Sequence, residues 1–209
     1  MPSTDLVQLA DISTVRTLAP GQMLYAQDED ATCLFLIRSG IVRISHLTVE
    51  GRRHILAFHW QGDLCGLMDE GRYVNSAAAL CETEVLAMPR DRLHGLLLTQ
   101  PLLQNEFLVK AAAELRNTQR MLVTVSGTDA AHRMASFLLE CTHHADHYDP
   151  ATHVVTLFAD RRDIADYLGL SGETVSRALG QLEQIGLIRR NSAREIAIEP
   201  DALRIYVEH

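Results

Sequence analysis

The sequence predicts an α+β fold: an N-terminal all-β roll, one long helix, and a C-terminal module of short helices closed by a hairpin. Three observations carry that expectation. Residues 20 to 90 are short apolar or alternating runs punctuated by Gly21, Gly40, Gly51 and Gly62, as strands joined by tight turns are. After Pro101 the apolar spacing switches to three and four, the period of a helix. From Asp160 onward a capped helix, a Gly stop and a second capped helix follow in close order.

In the roll, strands are expected at Met23–Tyr25, Leu34–Ile37, Ile41–Ile44, His54–Phe58 and Val85–Met88. Arg90–Leu98 reads as a short helix, and Pro101 suits the first turn of the longer one. Along that helix Leu108, Ala111, Leu115, Thr118, Leu122 and Val125 form an a/d seam. Such a seam packs either on its own domain or on a second subunit, and spacing does not choose between them. Ser126-Gly127-Thr128 interrupts the pattern as a hinge, with Thr128 or Asp129 capping the next helix. That helix, about residues 130 to 142, buries Met134, Phe137, Leu138 and Cys141; a polar stretch then leads to a strand at Val154–Phe158. Domains are accordingly expected at residues 1–100, 101–127 and 128–209, since 209 residues exceed the usual single-domain length.

Composition bounds the function. Hydrophobic residues at 47% and charged residues at 22% describe a globular chain with real cores. The segment from Met1 has no cationic start followed by an apolar run, and no stretch approaches the roughly 20 apolar residues of a membrane helix. A cytoplasmic protein without a membrane partner is expected. Cys33, Cys65, Cys81 and Cys141 are widely spaced and read as buried free thiols. Phosphate-binding, G-x-S-x-G and H-E-x-x-H motifs are missing from the sequence, so an enzyme is not expected.

The segment from Asp160 to Ile188 carries the chemistry. Asp160 caps a helix burying Ile164, Ala165 and Leu168; Gly169 ends it in the left-handed conformation, and Leu170 plugs the turn. Ser171 caps a second helix that buries Val175, Leu179 and Leu182 and stops near Gly186. Small groups at the crossing, Gly in the turn and a branched residue inside the second helix are what two closely packed short helices require. This is a helix-turn-helix. Its exposed face holds Glu173, Ser176 and Arg177, able to read base edges: Arg by donating to guanine, Glu by accepting from cytosine. Ser171, Thr174, Arg162 and the helix N-terminus suit the DNA backbone. Leu187–Arg190 and Arg194–Ile198 flank Asn191-Ser192-Ala193 as a hairpin wing presenting Arg189, Arg190 and Arg194 to phosphates. The net charge of −8 opposes a nucleic-acid partner, but residues 161–204 hold seven Arg against seven acids, so the excess lies elsewhere.

On these residues the sequence resembles the CRP/FNR family of bacterial transcription regulators. The likeness spans nearly the whole chain and is most specific at Glu173-Thr174-Val175-Ser176-Arg177, the E-x-x-S-R signature of the FNR and FixK branch. The resemblance implies a cyclic-nucleotide-binding-like β-roll and a winged helix-turn-helix that reads double-stranded DNA. It implies an inverted repeat of TTGAT-like half-sites bound by a homodimer, with the 108–125 seam as dimer interface. It also implies contact with RNA polymerase, usually to activate.

Departures from the family pattern concern the effector, which stays unknown. Nucleotide-binding members carry Glu in a G-E-L motif and Arg before Ser-Ala; here stand Gly62-Asp63-Leu64 and Asn75-Ser76-Ala77. A neutral amide does not replace a buried cation opposite a phosphate, so cAMP is not expected. Cluster-binding members need an N-terminal cysteine group, and no cysteine precedes Cys33, so no iron–sulfur cluster is expected. A haem- or redox-responsive regulator of the same fold is the alternative, through His46, His54 or His59 or a thiol; action without a ligand is the leading expectation. Cys141, His143, His144 and His147 crowd one helix end with metal-compatible spacing, but His there complements the helix dipole, and no metal is expected.

Overall fold

The computed structural model describes residues 3–208; Met1, Pro2 and His209 lie outside them, including the start of the segment read for a leader. The chain divides into two compact units, the first running to Gln119 and the second from Arg120.

The first unit opens with α1 (Ser3–Ile12), β1 (Thr14–Leu18), β2 (Met23–Tyr25), β3 (Cys33–Ser39), β4 (Val42–Leu47) and β5 (Arg53–His59). Short strands β6 (Leu64–Cys65), β7 (Met68–Asp69) and β8 (Arg72–Tyr73) follow, then β9 (Ser76–Ala79), β10 (Thr83–Pro89) and α2 (Arg90–Thr99). The long helix α3 (Pro101–Gly127) begins in this unit. Two four-stranded antiparallel sheets, ordered β1-β10-β3-β6 and β2-β9-β4-β5, form the roll, with β7 and β8 paired apart.

Strands β3 and β10 explain how the roll is covered. Alternate side chains of a strand face opposite ways. Phe35, Ile37 and Val85 join Leu24, Val42 and Ile44 in the core shared by the two sheets. Their neighbours Leu36, Leu86 and Met88 join Leu9, Leu93 and Leu103 under α1, α2 and the start of α3. Both faces are buried, so these strands read as near-continuous apolar runs rather than as alternation. Between β3 and β4 the chain turns at Gly40, whose φ is +85° and where a Cβ would stand 2.4 Å from Thr83 Oγ1. Only glycine fits there.

The second unit holds the end of α3, then α4 (Ala130–Cys141), β11 (Tyr148–Asp149), β12 (Val154–Thr156), α5 (Arg161–Leu168), α6 (Gly172–Gln184), β13 (Ile188–Arg190), β14 (Glu195–Ile198) and α7 (Pro200–Glu208). Asp129, not Thr128, caps α4, accepting from the His132 amide at 2.8 Å. The Thr128 hydroxyl instead donates back to the Thr124 carbonyl. The helix therefore runs through Ser126 and Gly127, and the break falls at residues 128–129, slightly later than the spacing suggested. Met134, Phe137, Leu138 and Cys141 of α4 are buried together with Ala131 and Ala135. Strand β12 stops at Thr156, short of the expected Phe158; the Leu157 amide still donates to the Arg194 carbonyl at 2.8 Å. Helix α7, which the sequence reading did not anticipate, buries Leu203 and packs on α4.

Candidate nucleic-acid interface

The reading head is assembled by local chemistry. Asp160 accepts from the Asp163 amide at 2.7 Å, fixing the start of α5. Ile164, Ala165 and Leu168 are buried. At Gly169 the backbone turns left-handed (φ 63°, ψ 37°). The Leu170 amide donates to Ala165 and the Gly169 amide to Asp166, the paired bonds that close a helix end before a sharp turn. Ser171 then caps α6, accepting from the Thr174 amide at 3.1 Å. Val175, Ala178, Leu179 and Leu182 anchor that helix, leaving Glu173, Ser176 and Arg177 exposed on its outer side.

Two of these exposed groups, Ser176 and Arg177, are held by hydrogen bonds. Ser171 and Thr174 hydroxyls lie 2.8 Å apart, and Arg177 Nη2 donates to Thr174 Oγ1 at 3.3 Å. Ser176 donates to the Gly172 carbonyl at 3.0 Å, leaving its oxygen able to accept. The guanidinium thus rests along the first turns of α6 with donors to spare. Gln181, one turn beyond Arg177 and also exposed, extends the same polar stripe. Its i+4 spacing from Arg177 was the signal that could have found it.

The wing is formed by β13 and β14, paired Arg190↔Ile196. Asn191 and Ser192 amides both donate to the Glu195 carbonyl, and the Ser192 hydroxyl accepts from the Arg194 and Glu195 amides. Arg189 and Arg194 are exposed, as is Arg162 on the first turn of α5. Arg190 is differently placed. Its amide, Nε and Nη2 donate to the Glu183 carboxylate of α6 at 2.9, 2.8 and 2.6 Å. That guanidinium and amide hold the Glu183 carboxyl below the usual carboxylate range.

Arg133, on α4, was not singled out by its spacing, yet it joins two helix ends. Its Nε donates to the Thr128 carbonyl at 3.0 Å and its Nη1 to the Leu168 carbonyl at 3.1 Å. Both acceptors lie at negative helix termini, where a cation is favoured. Val125, half-buried near the end of α3, lies against Gly169, where a Cβ would stand 3.2 Å from Val125 Cγ1.

Residues 15–100 match the family model for a cyclic nucleotide-binding domain, and residues 132–206 the model for a Crp-like helix-turn-helix domain. The nitrogen fixation regulation protein FixK of Azorhizobium caulinodans is 35% identical over 199 residues, 94% of this chain and 80% of that protein. The chain belongs to the CRP/FNR family. The transcriptional activator protein FnrA of Stutzerimonas stutzeri is 33% identical over 175 residues, 83% of this chain and 72% of that one. The structure of FixK2 from Bradyrhizobium japonicum superposes with a TM-score of 0.82 at 32% identity, covering 93% of this chain and 96% of that one. This is a FixK-like CRP/FNR regulator, a DNA-binding protein rather than an enzyme.

The position before Ser76-Ala77 is the one where nucleotide-binding members of the family carry Arg. Asn75 stands there, buried, accepting from the Tyr25 hydroxyl at 3.3 Å. Tyr25, Tyr73 and Phe35 stack beside it, with Tyr25–Tyr73 centroids 4.0 Å apart. Asp63 accepts from the Trp60 amide at 2.8 Å, closing its own turn. His46 Nδ1 lies 3.1 Å from the Val74 carbonyl, and buried His59 pairs with Glu114 at 3.1 Å.

All four cysteines are free; Cys65 and Cys141 are buried, whereas Cys33 and Cys81 are only half-buried. Burial pushes the Cys65 and Cys141 thiols up, away from thiolate chemistry. Cys141 and the nearby histidines do not converge: among the described residues no three His, Cys, Asp or Glu side chains are placed to hold a metal ion. No helix among the described residues is long and apolar enough to cross a membrane. Of the seam, Leu108, Ala111, Leu115, Thr118 and Leu122 are exposed in the single chain.

Proposed function

We propose that this CRP/FNR regulator reads an inverted repeat of TTGAT-like half-sites as a symmetric homodimer in the cytoplasm, and activates transcription through contact with RNA polymerase. The observation that carries the reading is the Glu173–Ser176–Arg177 face, exposed on a capped helix with Arg177 steadied by Thr174. In this reading Glu173, Ser176 and Arg177 take base edges, while Ser171, Thr174, Arg162, Arg189 and Arg194 take the backbone. Exposed leucines at 108, 115 and 122 support pairing of two α3 helices, because an unpartnered apolar stripe along a helix is unfavourable in water. FnrA, described as a transcriptional activator, supports the sign of regulation. The neutral, engaged Asn75 supports action without a cyclic nucleotide.

The test is titration of the purified protein with a palindromic TTGAT-type duplex and a scrambled duplex at one salt concentration. The palindrome is expected to bind about a thousandfold or more tightly. Arg177→Ala is expected to lose preference at one base pair of each half-site, by about 1–3 kcal/mol. Equal affinities for the two duplexes overturn the proposal.

A further inference from the structure

Arg189, Arg190 and Arg194 sit on one hairpin and look equivalent as phosphate contacts, but their surroundings differ. No intramolecular hydrogen bond or ion pair engages the guanidinium of Arg189 or Arg194 among the described residues. Arg190 has its backbone amide and two guanidinium nitrogens committed to a single carboxylate, at 2.6 to 2.9 Å. That carboxylate, Glu183, belongs to the last turn of the recognition helix α6. An acid is disfavoured there, because the carbonyl end of a helix is its negative pole. Arg190 gives it a cation and an N–H to accept from, so the pair explains both residues. Their side chains are 37% and 33% exposed, partly shielded from water and counterions. A carboxylate with three charge-assisted or amide donors in this geometry is a fixed joint rather than a passing surface contact. It fastens the first strand of the wing to the helix that faces the groove.

We propose that Glu183 is the positioning residue of the wing, holding Arg190 so that Arg189 and Arg194 meet the backbone in register with the recognition helix. Arg190 then acts on DNA through the wing and not by neutralising a phosphate. This rests on the DNA-reading function proposed above.

The two roles predict opposite signs for one substitution. Glu183→Gln removes a negative charge beside DNA; if electrostatics alone matters and Arg190 is a phosphate contact, freeing Arg190 tightens binding. If Glu183 positions the wing, Glu183→Gln weakens binding, roughly three- to tenfold, because a loosened hairpin must be ordered again on the DNA. Arg190→Gln is expected to weaken binding by a similar factor. The double variant should be no worse than either single one, because both changes break one joint. The salt dependence supplies the second arm. A lost phosphate contact reduces the slope of log K against log salt by about 0.9 per subunit. Arg189→Gln and Arg194→Gln should do so, and Arg190→Gln should leave the slope within half that amount.

Hydrogen exchange on the DNA-free protein separates failure of this proposal from failure of the DNA-reading function. The Arg190 amide should be protected in the wild type and exchange faster in Glu183→Gln, whatever the duplexes do. Tighter binding by Glu183→Gln, a full loss of slope in Arg190→Gln, or unchanged Arg190 exchange overturns the proposal.

Discussion

Gly169→Ala probes the turn between the two reading-head helices, and its cost follows from two features of one residue. Gly169 has φ 63°, a conformation that costs an L-residue about 1–2 kcal/mol. A Cβ there would also stand 3.2 Å from Val125 Cγ1, inside the ~3.5–4.0 Å of a comfortable carbon contact. Val125 or the turn must then move by a few tenths of an ångström, and the two effects together come to about 2 kcal/mol. The assay is urea unfolding of the whole chain followed by two probes. Trp60, the single tryptophan, lies in the first unit and its fluorescence reports the roll; far-UV circular dichroism adds the helices of the second unit. With m of about 1–3 kcal/mol per molar urea, the dichroism midpoint should fall by roughly 1 M while the fluorescence midpoint holds. Gly169→Asn should cost less than Ala, because Asn tolerates the left-handed region. Adding Val125→Ala to Gly169→Ala should recover the steric part alone. An unshifted midpoint in Gly169→Ala, or Asn as costly as Ala, refutes the reasoning.

Leu115→Glu places a charge in the seam at a side chain 59% exposed in the single chain, so the protomer should fold normally. On the proposed pairing of two α3 helices, sedimentation should report half the wild-type mass, and an unchanged mass removes Leu115 from that pairing. The Glu114 carboxyl is held below its ordinary range chiefly by the His59 hydrogen bond. A depressed folded value means the stabilisation is complete above the unfolded value of about 4.5 and disappears as pH falls through the folded one. Thermal midpoints of wild type and Glu114→Gln should therefore differ above about pH 5 and converge in acid; a gap that persists at pH 2 contradicts this.

The reading head was legible because its determinants are local. Asp160, Gly169 and Ser171 act within a few residues of themselves, so their types and spacing already specify two capped helices and a tight turn. Parts of the roll were not legible, because long-range packing decides them. Ser76–Ala79 is an alanine run that propensity alone would place in a helix; it forms β9 because small side chains fit between β2 and β4. Strand β1 is exposed at four of its five positions and is held by pairing with β10 rather than by an apolar pattern. Two-residue strands such as β6 and β7 are too short to show a period. The Arg190–Glu183 joint spans seven residues and a change of element, so composition saw an arginine on a wing and not the carboxylate that occupies it.

Arg133 gives the linker between α3 and α4 a mechanical character. Because one guanidinium holds the Thr128 and Leu168 carbonyls together while Val125 abuts Gly169, residues 128–129 work less as a free joint than as a welded bracket. Two hydrogen bonds and one apolar contact oppose a twist between the last turn of α3 and the end of α5. Replacing Arg133 would turn the bracket into a swivel, leaving each helix intact while the direction in which α6 points drifts.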